Sequence, residues 1–160
     1  MEKLSQILWR ERELLETLLF KLEQEQLVLA SGRNRWLMRA AREVEHVLET
    51  IRQTEILRSV AADEAAAALG LEHNPSLRSL AEAVDEPWRT ILLDHHEAFL
   101  VATREITALA ETNRELITVG YRSARETLMS FGDGVQSYNA DGDAVSVGTP
   151  TQQRLVDWSL

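Results

Sequence analysis

Apolar side chains recur at seven-residue spacing through the first thirty residues, and this pattern predicts a long amphipathic helix. Glu11 and Glu25 occupy the two positions at which the repeat would place further apolar residues. Other apolar residues widen the stripe, so we expect this helix to bury more than a two-stranded coiled-coil seam. The repeat consists of Leu4, Leu8, Leu15, Leu18, Leu22 and Leu29.

A second helix is predicted from about Trp36 to Leu69, after a break over residues 31–34 that contains Gly32. Its apolar residues again follow helical spacing, and its end is rich in alanine, which favours helix but supplies little apolar volume. Gly70 and the following Asn-Pro pair predict the end of the helix. Because the break between the two helices is short, we expect them to form an antiparallel hairpin.

A short helix and then a third long helix are predicted from Ser76 onward. Ser76 is a candidate N-cap for a helix up to Val84, and the Asp-Glu-Pro sequence at 85–87 is typical of a new helix start. The apolar stripe then continues from Trp88 to Phe131, about 45 residues, or roughly 70 Å of helix. Gly120 is the position at which this helix could bend or admit a partner helix closely.

After residue 131 the character of the sequence changes. Residues 132–149 are rich in Gly, Ser, Asp and Asn and keep neither a helical nor an alternating apolar period. The last residues, 154–160, are apolar enough to dock or to form a short helix. We therefore predict an all-α fold: an antiparallel, coiled-coil-like bundle of three long helices plus a short connecting helix over residues 1–131, followed by a flexible tail over residues 132–160.

Charge and composition exclude several classes of function. The formal net charge is -9, so binding to nucleic acid or to an anionic membrane surface is disfavoured. The chain has no cysteine, no signal-peptide pattern at its start and no apolar run of about 18 residues. These features predict a cytoplasmic location.

No motif for catalysis or metal binding is complete. Glu43 and His46 match half of a di-iron helix signature, but no second copy of this motif occurs, and His95 and His96 are adjacent and so point about 100° apart on a helix. No Gly-x-Ser-x-Gly elbow occurs. We expect no metal, no cofactor and no small-molecule substrate. Among the tryptophans, Trp9 is expected at a half-buried rim position.

An enzyme remains an alternative, because small all-helical mutases build active sites from charged residues on facing helices. In this chain those charged residues have partners of opposite charge at helical spacing, which favours a solvated, paired surface instead. The candidates for such a site are Arg10, Arg39, Arg42, Arg52 and Glu49.

Two short motifs give the helical pattern a specific resemblance. Residues 112–117, Thr-Asn-Arg-Glu-Leu-Ile, lie late in the third long helix, and residues 138–142, Tyr-Asn-Ala-Asp-Gly, lie in the tail. In this order, and after a hairpin of long helices, they resemble the FlgN-type flagellar type III export chaperones. The resemblance covers residues 4–142. The connection over residues 72–85 is longer than this family pattern requires, and residues 143–160 have no counterpart in it.

The resemblance implies a cytoplasmic chaperone that binds the C-terminal helical segments of hook-associated (hook–filament junction) proteins and delivers them to the flagellar type III export gate. By position, the implied client contacts are Asn113, Leu116, Ile117, Gly120, Tyr121, Ala124, Leu128 and Phe131. The implied contacts with the cytoplasmic domain of the export-gate membrane protein are Tyr138, Asn139, Ala140, Asp141 and Gly142. A coiled-coil adaptor or a homodimer whose stripes serve only self-association remains the alternative, since periodicity alone would place the late part of the third helix in the chain's own core.

Overall fold

The structure is a computed structural model that describes the backbone of residues 1–134, 137–138 and 144–145 and the side chains of residues 1–131. Its elements are α1 (Glu2–Ala30), a 3-10 turn (Asn34–Trp36), α2 (Leu37–Leu69), α3 (Leu77–Glu82), α4 (Trp88–Gly134), β1 (Ser137–Tyr138) and β2 (Ala144–Val145). Within these residues the fold is all-α, as predicted, apart from the short β1–β2 pair.

Helices α1 and α2 form the predicted antiparallel hairpin. Lys3, at the start of α1, pairs with Glu64 near the end of α2 at 2.7 Å, and Lys21 pairs with Glu43 near the start of α2 at the same distance. The turn between the helices uses Gly32 at a φ of +65°, in the left-handed region that suits glycine. The predicted hairpin geometry is therefore confirmed.

The connection from α2 to α4 follows the predicted stop and start signals. Gly70 ends α2 in the left-handed conformation, with a φ of +68°. The Ser76 hydroxyl accepts a hydrogen bond from the Ser79 backbone N–H at 3.0 Å and so caps α3. On the inner side of α3, Leu80 is fully buried in the core.

The core of the bundle consists of two apolar clusters, one at each end of the α1–α2 hairpin. In the first, the alanines of α2 let the neighbouring elements approach closely; it contains Leu4, Leu8, Ala61, Ala62, Ala65, Ala66, Leu80, Ala81, Val84 and Leu92. The second contains Leu18, Leu22, Val44, Val47 and Ile51, with Ile106 and Leu109 of α4 packed against it. The first half of α4 therefore packs on the hairpin and completes a three-helix bundle.

The chain divides into two compact units, Met1–Val119 and Gly120–Leu160. Helix α4 (Trp88–Gly134) ends three residues beyond the predicted end. In the second unit β1 pairs with β2 in antiparallel register, with Tyr138 opposite Ala144. The sequence pattern does not predict this pair. The remaining residues of the predicted tail lie outside the described part of the chain.

Candidate partner-binding surface

The C-terminal part of α4, within the second unit, carries exposed apolar side chains along one face. Tyr121 and Leu128 are each 72% exposed and Phe131 is 67% exposed. Together with Ala124 they follow spacings of three, four and three residues, which places all four on the same side of the helix. We call these four residues the α4 stripe. An unburied stripe of this kind marks a surface on which a partner can pack.

The sequence spacing shows which residues would continue the core seam of α4 beyond the first unit. In the first unit, α4 packs through Ile106, Leu109, Asn113 and Leu116, again at spacings of three, four and three. Continuing this seam by the same spacing leads to Gly120, Ser123 and Thr127, which are small or polar. Leu128 lies about 100° around the helix from Thr127. By this spacing Tyr121 and Leu128 lie off the seam, whereas Ala124 and Phe131, which come 18 residues after Ile106 and Asn113, return to its face.

Two predicted client contacts, Leu116 and Ile117, lie in the first unit. The Leu116 side chain is half-buried and the Ile117 side chain is 46% exposed. Leu116, Ile117 and Leu128 are thus not all sealed in the core, so apolar side-chain surface on α4 remains accessible to a partner.

Asn113 differs from the other predicted contacts because its side chain is only 2% exposed. Its Nδ2 donates hydrogen bonds to the Leu22 carbonyl at 2.9 Å and to Glu25 Oε2 at 3.1 Å. These two bonds join α4 to α1. In this structure Asn113 serves the bundle and offers no side-chain surface to a second protein.

Gly120 has an open surround. A Cβ added at this position would meet nothing within 4 Å. Within the described residues, no neighbouring element therefore requires glycine here, and the space above it is free for a partner. The prediction of close approach by a partner helix stays a prediction.

The predicted gate-docking residues are only partly described. Tyr138 lies in β1, and its backbone pairs with Ala144. Asn139, Ala140, Asp141 and Gly142 lie outside the described residues. Their role stays a prediction.

The half-motif Glu43–His46 does not form a metal site. The Glu43 carboxylate accepts hydrogen bonds from Lys21 at 2.7 Å and from Arg39 at 3.1 Å, and the bond from Lys21 is the main cause that lowers the pKa of Glu43. His46 is exposed. Among the described residues, no group of three or more His, Asp or Glu side chains is close enough to hold a metal ion.

The charged residues considered for a mutase-like site do not assemble into one. All five are exposed. Arg52 pairs with Glu49 on its own helix at 3.4 Å, and Arg39 pairs with Glu43 at 3.1 Å. The arrangement is that of a solvated, paired surface, which is the interpretation that the sequence favours.

Buried polar residues of the first unit form contacts that sequence reasoning missed. Glu11 is buried, and its Oε2 lies 3.0 Å from Arg58 Nε in an ion pair that lacks the angle of a directed hydrogen bond. Burial raises the pKa of the Glu11 carboxyl, and Arg58 opposes this rise. The only signal in the sequence was the position of Glu11 in the leucine repeat.

His95 is a second buried polar group, 1% exposed, and neither of its ring nitrogens has a hydrogen-bond partner in the described part of the chain. Its ring meets Trp9 edge-to-face at 4.8 Å, and Trp9 keeps its other side in solvent at the predicted rim. Burial lowers the pKa of His95, and Arg12 lowers it further. Both effects favour the neutral form of this buried imidazole.

Exposed apolar residues also occur on α2, away from any predicted site. Ile56, Leu57 and Val60 are between 50% and 66% exposed, and their spacing places them on one side of the helix. Val60 follows the helical spacing of the apolar residues of α2, yet it lies on this exposed side. The buried side is instead carried by Thr54 and by the alanines from Ala61 onward.

Comparison with known proteins identifies a family for the chain. The family model described as FlgN protein matches residues 1–146. No curated protein and no solved structure gives a significant match. In the described part of the chain, no helix is both long enough and apolar enough to cross a membrane.

Proposed function

The chain belongs to the FlgN family, a family of flagellar chaperones, and from this premise we propose that it binds the C-terminal helical segments of hook–filament junction proteins. We further propose that it works in the cytoplasm and delivers these clients to the flagellar type III export gate. No catalytic step is part of this function.

The α4 stripe is the observation that supports client binding. Tyr121, Leu128 and Phe131 place three large apolar side chains in solvent on one helical face. Exposed apolar surface of this kind is a liability in a chain without a partner, because it favours aggregation. A client helix that lays its apolar face along the stripe would remove both surfaces from water.

The size of the side chains on the stripe suits a helical client. Ala124 is small and lies between the bulky Tyr121 and Leu128, and Gly120 has open space above it. Small residues between bulky ones give a shallow depression into which the ridge of another helix fits. Ile117 in the first unit, whose side chain is 46% exposed, is proposed as a separate client contact.

Titration calorimetry with purified C-terminal segments of junction proteins tests this proposal. Leu128→Ser and Phe131→Ser are each expected to weaken client binding about tenfold or more, since large buried apolar side chains dominate interface energetics. Met129→Ser is the matched control, because Met129 is 57% exposed in the same turn but lies on another face. Equal losses from Met129→Ser and Leu128→Ser would refute the proposed face.

The proposed gate contact rests on the family resemblance of residues 138–142. A chain that ends at Gly134 keeps all of α4, so it is expected to bind the client normally and to bind the gate's cytoplasmic domain weakly. Tyr138→Ala is expected to weaken gate binding with an unchanged melting temperature. If the shortened chain loses the client instead, the proposed division of roles is incorrect.

Self-association is the second candidate function, and the exposed patch of Ile56, Leu57 and Val60 on α2 favours it. Light scattering of the chain with and without a client segment separates the two. Dissociation of a dimer by Ile56→Ser, with no complex formed with any junction protein, would favour an adaptor over a chaperone.

A further inference from the structure

A groove of about 430 Å³ lies in the first unit, between α2, the segment before α3, and α4. Apolar side chains supply its floor, among them Leu77, Phe99 and Leu100. Phe99 and Leu77 are also packed against the first core cluster, so the floor belongs to the folded bundle and not to a loose surface. The volume lies within the range of grooves that bind a partner's side chain.

The wall of the groove formed by residues 74–76 is fixed by hydrogen bonds. Asp63 Oδ1 accepts a hydrogen bond from the Asn74 backbone N–H at 2.7 Å and contacts His73 Nδ1 at 2.8 Å. Asn74 has a φ of +59°, in the left-handed region that asparagine adopts more readily than most residues. Ser76 is held as the cap of α3. The groove is therefore preformed, which reduces the entropy lost on binding.

The charges on the groove are of one sign. Its titratable lining residues are Arg58, His96 and Arg104, and no acid lines it, although the chain has 26 acidic and 17 basic residues. Arg58 is partly neutralised by Glu11 behind it. Arg104 is exposed, forms no ion pair within the described residues, and has no acid three or four positions away on its helix. The groove thus presents an unneutralised cation beside an apolar floor.

We propose that this groove binds a segment of a partner protein in which a bulky apolar side chain is flanked by carboxylates. The apolar residue would occupy the floor over Leu77 and Phe99, and a neighbouring carboxylate would pair with Arg104. A simple anion would leave the floor uncovered, and a basic segment would be repelled. The groove shares no residue with the α4 stripe, so this site goes beyond the proposed client contact.

Fluorescence polarisation with the full chain tests the proposal. The probe is a labelled, end-capped peptide with one Phe among Asp and Glu residues. Control peptides carry Ser in place of the Phe, or Lys in place of the acids. We expect saturable binding of the probe only, weakened by added salt because the charges are exposed.

Variants of the chain locate the binding. Arg104→Glu reverses the exposed charge and is expected to weaken binding about tenfold. Leu100→Ser removes part of the floor, leaves the charge unchanged and provides an independent variant if Arg104→Glu does not fold by circular dichroism. Arg10→Glu makes the same charge change at an exposed position of α1 and is expected to leave binding nearly unchanged.

Three results would overturn the proposal: no saturable binding of the probe, equal binding of the lysine peptide, or equal losses from Arg10→Glu and Arg104→Glu. A dimer of the chain that dissociates on Arg104→Glu, without peptide binding, would assign the groove to a second copy and would also refute the proposal. None of these results depends on the client of the α4 stripe.

Discussion

The side-chain amide of Asn113 lies 3.1 Å from Glu25 Oε2 and joins two helices whose contacting residues are 88 positions apart in sequence. Glu25 is the residue that interrupts the leucine repeat of α1, and Asn113 interrupts the apolar seam of α4. The Asn113 amide N–H therefore pairs with the Glu25 carboxylate, while Asn113 Oδ1 has no hydrogen-bond partner among the described residues. Because a buried polar pair is satisfied at only one alignment, it also fixes the register of α4 against α1.

Asn113→Ala is expected to destabilise the bundle by about 1 to 3 kcal/mol, since it leaves the buried Glu25 carboxylate without its donor. Urea unfolding followed by circular dichroism measures this change. Thr112→Ala, at the exposed neighbouring position, is the control and is expected to have a much smaller effect. If Asn113→Ala leaves the stability unchanged but abolishes client binding, Asn113 contacts the client and does not stabilise the bundle.

Glu11→Leu is expected to stabilise the chain at neutral pH by about 1 kcal/mol. The variant replaces a buried carboxyl with leucine, the residue that occupies the other positions of the repeat. Arg58 is left without a partner, but its side chain is 35% exposed and reaches water. The measurement is the urea midpoint at several pH values.

The gain from Glu11→Leu should depend on pH. Folding raises the pKa of Glu11 above its ordinary value of 4.5. The parent chain is therefore most stable, as far as this group is concerned, below pH 4.5, where the carboxyl is protonated in both states. It loses stability as pH rises through the pKa that Glu11 has in the folded chain. The advantage of leucine should therefore be larger at pH 7 than near pH 4. A loss of stability at pH 7 would show that the Glu11–Arg58 pair is net stabilising.

His95→Leu is expected to reduce the loss of stability in mild acid. Because the folded pKa of His95 is lowered below 6.5, the unfolded chain takes up the proton first, and stability falls as pH drops below 6.5 toward the folded value. The slope from this one group is at most about 1.4 kcal/mol per pH unit. Melting temperatures between pH 7 and pH 5 measure it.

The matched control for this prediction is His46→Leu, because His46 is exposed on α2. It should leave the acid dependence of the melting temperature unchanged. If both variants lose stability in acid to the same extent as the parent chain, burial of His95 does not cause the acid dependence of the melting temperature.

Gly120→Ala is expected to raise the stability of α4 by up to about 1 kcal/mol, since alanine favours helix and its Cβ meets nothing within 4 Å. Thermal unfolding measures the change, with Ser123→Ala as the control on the same helix. The same variant should weaken client binding if the client helix approaches at Gly120. A fall in the melting temperature would contradict the open surround of this glycine.

Most of the fold followed from local patterns. The leucine repeat predicts α1, Gly70 predicts the end of α2, and Ser76 predicts the start of α3; the structure confirms all three. These signals depend on the spacing of side chains along one helix or on the conformation of one residue, so they can be read without knowing the neighbours.

The candidate surface was predicted only in part. The resemblance implies client contacts late in α4, but sequence alone did not separate the exposed Leu128 from the buried Asn113. The exposed patch of Ile56, Leu57 and Val60 was missed for the same reason. Helical spacing shows that an apolar residue lies on a given side of its helix, but it does not show whether a neighbouring helix covers that side.

The sequence by itself determined the helices, the hairpin, the acidic character and the absence of a complete catalytic motif, because each depends on local spacing or on composition. Only the tertiary structure decided which polar residues meet, as Glu25 meets Asn113 and Glu11 meets Arg58. It also decided which apolar faces stay open. Both depend on which faces of the helices are brought together, and that is set by packing between residues far apart in the chain.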